Sequence, residues 1–418
     1  MTAPLRIAQV APPIERVPPR GYGGTERIVH ELVLEFLRRG HDVTTFASAD
    51  SDVPGRHVPT VPAALRPAGL ETDPSPHFMT TIAAVLDRAD EFDIIHSHLE
   101  WYSSVLARVA PVPVVATFHG RLDMPWYPEI LAEKRLHRVA ISNNQAAAHP
   151  DLAWTVVHNG LSLSRAPFER RRGDGLCFVG RVEPEKGILD AIEIARLAGR
   201  PLRIAAKIGT TPHQRAYHED VFIPALATAG RDVEFLGEVS GSERDELLAE
   251  SHASLMPGSW PEPFGLTAIE SLACGTPVIA RRAGALPEII RHGTDGFFGD
   301  DVAQMAFFLD RVGALDRGEI RRSVLARFSA SAMVDGYEAL FERILSTAAR
   351  GREPVETATA GRASRESTAA PRPGFRTGVR LVPVMFDPGA ARDGGRGTTE
   401  VSRSSPERAA TTGDRARD

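Results

Sequence analysis

The chain has 418 residues, 42% hydrophobic and 25% charged, a globular composition that excludes wholesale disorder and leaves room for two or three domains. Lys and Arg number 49 against 54 Asp and Glu, and the formal charge of −5 gives no reason to expect nucleic acid as a partner. Two cysteines, Cys177 and Cys274, exclude a disulfide scaffold and a cysteine-based zinc cluster.

No apolar run approaches the roughly 18 residues of a membrane span, so none is expected. The first apolar run, Leu5–Val10, is interrupted by Arg6 and Gln9 and stopped by Pro12 and Pro13. It does not read as a signal peptide, and a cytoplasmic protein is expected. Only three of the 49 basic residues are lysines, Lys134, Lys186 and Lys207. In an arginine-rich chain a retained lysine hints at a place that wants a compact ammonium.

In the first half, strands are predicted at Leu5–Val10, Asp42–Ala47, Asp93–Ile95, Val114–Phe118, Arg138–Ile141 and Thr155–Val157. Helices are predicted between them at Glu26–Arg39, His77–Ala89, Trp101–Val109, Glu129–Leu136 and Asn143–His149. The first helix closes on Arg38-Arg39-Gly40, cations in the last turn and then a capping glycine. The polar, turn-rich stretch Leu163–Gly175, with Arg165, Arg170, Arg171 and Arg172, is the linker candidate.

The second half restarts the alternation. Strands are predicted at Leu176–Val179, Leu202–Ala206, Val233–Leu236, Ala253–Met256 and Val278–Ala280. Helices are predicted at Ile188–Leu197, Tyr217–Ala229, Glu243–Ser251, Phe264–Ala273, Ala303–Val312 and Ala332–Leu345. Alternating strands and helices imply an α/β fold of two Rossmann-like, doubly wound parallel-sheet domains, residues 1–165 and 166–346, facing an inter-domain cleft. Met333, Tyr337, Leu340, Phe341, Ile344 and Leu345 form an apolar stripe on the last helix. Residues 347–418 are rich in Arg, Ala, Gly, Ser, Thr and Pro and read as a disordered tail. Within it the island Leu381–Phe386 is either a short docking segment or an accidental apolar run.

Candidate chemistry sits at the ends of predicted strands. The loop Gly21-Tyr-Gly-Gly-Thr-Glu-Arg27 runs straight into a helix. Its bare N–H groups and the helix N-terminus make an anion-binding nest, although a plain turn with Thr25 as cap is also possible. It matches neither the dinucleotide fingerprint nor the P-loop. His119 follows the strand Val114–Phe118 and faces the expected cleft, where its imidazole could donate to a ligand oxygen or shuttle a proton, or be no more than a surface or core residue. After it, Asp123, Trp126 and Tyr127 could form a stacking wall for an acceptor, or pack their own loop.

Asn143 and Asn144, and then His158-Asn159-Gly160, read as cleft-edge turns. Gly180-Arg181 through Lys186-Gly187 offers a planar fork and a point charge five positions apart, a pair suited to pyrophosphate unless Glu183 and Glu185 merely neutralise them. Pro261-Glu262-Pro-Phe-Gly-Leu-Thr-Ala-Ile-Glu270 sets Glu262 on a loop and Glu270 inside the following helix. Ionised carboxylates are pure acceptors suited to vicinal sugar hydroxyls. No carboxylate cluster that would hold a divalent metal is visible among these motifs.

These stretches, in this order and together with Phe235-Leu-Gly-Glu-Val239, resemble the retaining glycosyltransferases of GT-B architecture in glycosyltransferase family 4 (glycosyl transferases group 1) over residues 5–346. The resemblance implies that Arg181 and Lys186 bind the donor diphosphate. It implies that Glu262 contacts the donor sugar, that the backbone of Phe264, Gly265 and Leu266 helps hold sugar and phosphate, and that Glu270 holds the ribose. The main chain at Glu238 and Val239 would meet the nucleobase, Gly23 and Gly24 would approach the phosphates, and His119 would contact the sugar near its transferred carbon.

The Tyr22–Arg27 pattern, with Arg39-Gly-His-Asp-Val43 and Phe46-Ala-Ser48, is similar to a subgroup using UDP-glucose. The expected activity is therefore metal-independent, retaining transfer of a hexose, glucose in the first instance. The donor is a nucleotide sugar, with no further cofactor, and the acceptor is a small molecule or glycan bound on the N-terminal domain by Asp123, Trp126 and Tyr127. Catalysis would fall to His119, Glu262, Arg181 and Lys186. A non-catalytic nucleotide-sugar binder and a nucleotide-sugar epimerase share the architecture and are the alternatives. Lys207, where relatives often carry glycine, and His158, where Pro is commoner, depart from the family pattern.

Overall fold

The computed structural model describes residues 3–21, 23–69, 73–168 and 173–350. The tail expected beyond Arg350, its island Leu381–Phe386, Tyr22 and Arg170–Arg172 of the linker lie outside the described residues.

Two parallel sheets form the body. The first comprises β1 (Arg6–Val10), β2 (Asp42–Ser48), β3 (Arg56–Val61), β4 (Ile94–Ser97), β5 (Val114–Phe118), β6 (Leu136–Ala140) and β7 (Thr155–Val156) in the order β3-β2-β1-β4-β5-β6-β7. The second comprises β8 (Leu176–Arg181), β9 (Leu202–Lys207), β10 (Val233–Gly237), β11 (Ala253–Met256), β12 (Val278–Ala280) and β13 (Gly296–Phe298) in the order β10-β9-β8-β11-β12-β13. Both orders reverse direction beside their first strand. That reversal is the switch point where doubly wound folds open a crevice at the carboxyl ends of their strands. The register is fixed by central strands buried on both faces, such as Val114–Phe118.

Several elements differ from the sequence expectation. β3 and β13 and the helices Leu286–Ile289 and Arg317–Phe328 were not expected. The expected helix Glu129–Leu136 is only Tyr127–Leu131, because Leu136 opens β6. The expected helix Tyr217–Ala229 is assembled from Pro212–Tyr217, a π turn at His218–Phe222 and Ile223–Thr228. The last helix, Ala330–Arg350, outruns its expected end and takes in residues 347–350.

That last helix returns to the first sheet. Most of its stripe is buried: Met333, Tyr337, Leu340, Phe341 and Ile344, with Val334 beside them, join one cluster with Ile28, Leu32 and Phe36 of the first helix, Gly24–Arg38, whereas Leu345 is half-buried outside it. Phe341 stacks on Phe36 at 5.8 Å, and Tyr337 shares a 2.8 Å hydrogen bond with Thr117 of β5. Arg39 reaches Asp335 and Glu338, each at 2.7 Å. Among the described residues no helix is long and apolar enough to cross a membrane.

Candidate functional site

A cleft of about 780 Å³ opens where the carboxyl ends of the two sheets face each other. From the second domain it is lined by Arg181, Lys186, Lys207, Glu238, Val239, Glu262, Phe264, Gly265, Leu266 and Glu270, and from the first by Gly23, Gly24 and His119. Every residue expected to bind the donor is therefore brought to one place.

β8 ends in Gly180-Arg181, and a tight turn at Pro184–Lys186 passes through Gly187 into the helix Ile188–Ala198. Gly187 sits in the left-handed region at φ 72°, and a Cβ there would lie 2.7 Å from the backbone nitrogen of Gly258. Only glycine lets the turn press against the loop after β11 and carry Lys186 to the cleft. Lys186 forms a short ion pair with Glu262, which stands on the loop before the helix Leu266–Ala273. Arg181 pairs with Glu183 at 2.7 Å and lies 3.8 Å from Glu185. Burial pushes the Glu183 carboxyl up to about 7. The two cations thus line the cleft rather than face solvent, although Glu183 and Glu185 do partner Arg181.

Glu270 is 5% exposed, and its carboxylate is held by Arg27 at 2.6 Å and Arg244 at 3.1 Å. Arg27 comes from the opposite domain, so this ion pair spans the cleft. Lys207, unassigned by sequence, lies 3.4 Å from Glu238. A side chain at Gly21 would meet Glu238 Oε1 at 2.6 Å, so the missing Cβ lets the glycine loop reach the donor domain. Further links close the domains below the cleft. Ser142 donates to the carbonyl of Pro263 at 2.7 Å. Glu288 accepts hydrogen bonds from the backbone of Asn143 and Asn144 and pairs with His158 at 2.9 Å. Burial would raise the Glu288 carboxyl, but these hydrogen bonds outweigh it and hold it down at about 2. Asn143, Asn144 and His158, expected at the cleft edge, instead serve this clasp.

His119 lies at the end of β5 with Nε2 2.9 Å from His98 Nδ1. Burial takes its imidazole down to about 3, so it is neutral at physiological pH and acts through a lone pair or an N–H, not as a cation. Its backbone N–H and that of Gly120 both donate to Glu100 Oε1, at 2.9 and 3.1 Å. Glu100 is held at φ 50°, the one positive φ among the described non-glycine residues, and burial raises its carboxyl to about 7.

The expected acceptor wall is not brought to the cleft lining. Tyr127 is 5% exposed and packs edge-on against Phe118, so its ring belongs to the core. Trp126 is 42% exposed and stacks on Tyr127 at 4.2 Å. Asp123 is tied to Arg121. The first-domain lining is instead completed by Glu26, Arg66, Glu100 and Arg121. Of these, Arg66 pairs with Glu15 at 2.9 Å, and burial pushes the Glu26 carboxyl up to about 7. Glu100, three residues after β4, carried one legible signal, a carboxylate at a strand's carboxyl end. Arg244, on the outer helix Gly241–Glu250, carried none. Asp50 and Asp52, at Asp-x-Asp spacing, lie outside this lining, and no metal-holding cluster of His, Cys, Asp or Glu occurs among the described residues.

The family model described as Glycosyltransferase Family 4 matches residues 22–165, and that described as Glycosyl transferases group 1 matches residues 166–311. The chain is 30% identical over 339 residues to glycogen synthase of Mycobacterium tuberculosis, covering 67% of this chain and 79% of that one. It is 28% identical over 390 residues to the D-inositol 3-phosphate glycosyltransferase of Mycolicibacterium vanbaalenii, covering 78% and 86%. Among solved structures it resembles AviGT4, a glycosyltransferase involved in avilamycin A biosynthesis, at 25% identity and a TM-score of 0.60 over 82% of this chain and 98% of that one. It shares its fold with Anabaena HepE, solved in complex with UDP-glucose, at 18% identity and a TM-score of 0.62 over 81% and 100%. The chain belongs to the GT-B glycosyltransferases of family 4, group 1.

Proposed function

We propose that this glycosyltransferase moves a hexose, glucose carried on UDP, to a hydroxyl of a small-molecule or glycan acceptor, with retention at the anomeric carbon and without a metal ion. One observation carries the reading. Arg181, Lys186 and the N-terminus of the helix Leu266–Ala273 converge on one wall of a cleft whose other wall holds Gly23, Gly24 and His119. A diphosphate seated there meets two cations and the positive end of a helix, the arrangement that stabilises anionic oxygens.

Lys186 is neutralised by Glu262. A bound diphosphate competes for the ammonium and leaves Glu262 to accept from sugar hydroxyls. Glu270, fixed between Arg27 and Arg244, faces the ribose, and the main chain at Glu238 and Val239 faces the base. The UDP-glucose complex of the Anabaena neighbour supports this choice of donor. The acceptor enters from the first domain, beside Glu26, Arg66, Glu100 and Arg121.

As the bond from the anomeric carbon to the diphosphate oxygen breaks, negative charge grows on the leaving group, and Arg181 and Lys186 stabilise it. The acceptor oxygen bonds to the same face of that carbon, and its proton passes to the departing phosphate. The test is a panel of UDP-glucose, GDP-mannose, ADP-glucose and UDP-N-acetylglucosamine, in the presence and absence of EDTA. Release of nucleoside diphosphate is followed together with the anomer of the freed or transferred sugar. UDP-glucose is expected to turn over fastest, with an α product and no loss to EDTA. An epimerised nucleotide sugar, a β product or EDTA-abolished turnover contradicts the corresponding part of the reading.

A further inference from the structure

Behind His119 lies a buried polar chain that the reaction above does not use. Gln9 of β1, His96 of β4 and His98 beyond its end are all fully buried. His98 Nε2 lies 3.1 Å from Gln9 Oε1, and His98 Nδ1 lies 2.9 Å from His119 Nε2. The rings of His96 and His98 lie 4.3 Å apart, and His96 Nε2 meets Thr117 Oγ1 at 2.8 Å. Three imidazoles this close and this deep cannot carry charge together. Burial lowers all three below their ordinary range, and the neighbouring imidazoles lower His96 and His98 further.

A neutral imidazole has one donor nitrogen and one acceptor nitrogen, so a hydrogen bond at one nitrogen decides the state of the other. The Gln9 carbonyl oxygen is an acceptor only, so His98 carries its proton on Nε2. Its Nδ1 is then a lone pair, and His119 must donate to it from Nε2. His119 Nδ1, which has no hydrogen-bond partner among the described residues, is left as a lone pair at the cleft.

We propose that the Gln9–His98 pair is a positioning device that fixes His119 as its Nε2–H tautomer and so presents Nδ1 as a hydrogen-bond acceptor for a hydroxyl of the bound sugar. This reverses the donor role that the sequence suggested for the imidazole. The assignment to a sugar hydroxyl rests on the transfer reaction proposed above, whereas the tautomer rests on the Gln9 amide presenting Oε1 to His98, with its buried Nε2 making no hydrogen bond.

Two measurements on the full chain test it. Long-range ¹H–¹⁵N spectra of histidine-labelled protein at pH 7, with His98 and His119 assigned by substitution, report the tautomers directly. Both rings are expected as Nε2–H, and an Nδ1–H state of His119 overturns the proposal whatever the enzyme's activity. The second arm uses Gln9→Leu and His98→Phe, which remove the acceptor and the relay while keeping apolar volume. Each is expected to lower kcat for release of UDP from UDP-glucose about tenfold, the scale of losing an orienting partner. KM for UDP-glucose and affinity for UDP are expected to stay close to wild type. Folded variants with wild-type kcat overturn the positioning role. Absence of turnover in the wild type would sink the proposed reaction instead, and the spectra would still decide the tautomer.

Discussion

Glu262 and Glu270 are eight positions apart in sequence and have different partners in the fold. Glu262 meets Lys186, whereas Glu270 lies between Arg27 and Arg244. In the proposed reaction Glu262 would stand where charge develops at the anomeric carbon, so Glu262→Gln is expected to lower kcat by about two orders of magnitude. Glu270, in the same proposal, would serve a remote part of the donor whose contacts change little between ground and transition state. Glu270→Gln is expected chiefly to raise KM for the donor. Free UDP, which has the ribose but no sugar, separates the roles: calorimetry should find its affinity lowered by Glu270→Gln and nearly unchanged by Glu262→Gln. The reverse pattern would mean that the two carboxylates had been exchanged. At this scale the cleft-lining residues were legible because they gather at strand ends and around the start of the helix Leu266–Ala273, with Glu270 one turn inside it. Arg244 was not, because its guanidinium reaches Glu270 from a surface helix with nothing local to mark it. Tyr127 was misread as a wall because a loop aromatic gives no sign of whether the core will take it.

The turn that delivers Lys186 depends on its backbone. Gly187 has φ 72° and lies against Gly258, so alanine there combines a left-handed residue with a backbone clash at 2.7 Å. Gly187→Ala is expected to cost about 1–3 kcal/mol of stability and to lower turnover by displacing Lys186, read by urea melts and UDP release. Wild-type values in both would show that the turn tolerates a side chain and positions nothing. Elements with strong periodicity, such as β5 and the last helix, were legible in the sequence. Those that were missed have identifiable causes. β3 is a sheet edge carrying Pro59, which argues against a strand. β13 opens on Gly296 and is followed by Gly299, so its two phenylalanines sit between turn signals. The helix Arg317–Phe328 buries Ile320, Val324 and Phe328 at spacing four, a narrow stripe hidden among four arginines and a glutamate.

Across the whole molecule, the paired domains followed from alternating strands and helices, but the clasp at Glu288 did not. Glu288 bonds residues 144 and 145 positions away, a distance no local pattern spans. Its carboxyl stands at about 2 in the folded protein against about 4.5 unfolded, so the clasp contributes stability above about pH 4.5 and loses it as pH falls toward 2. Glu288→Gln is expected to cost about 1.5–3 kcal/mol at pH 7, the worth of hydrogen bonds to a charged group, and to converge on wild type near pH 2. An equal deficit at both ends of a melt series would mean that ionisation is not what holds the clasp.

The central claim is that this cleft transfers a sugar from a nucleotide by stabilising the departing diphosphate. Release of UDP from UDP-glucose, measured side by side for wild type and Lys186→Ala at matched thermal stability, tests it most directly. The account predicts steady release by the wild type and a loss of about a hundredfold or more in the variant, the scale of removing one preorganised charge partner. Equal release by both would remove Lys186 from the chemistry. Binding of UDP-glucose with no release by either protein would contradict the claim, leaving a cleft that holds nucleotide sugars without transferring them.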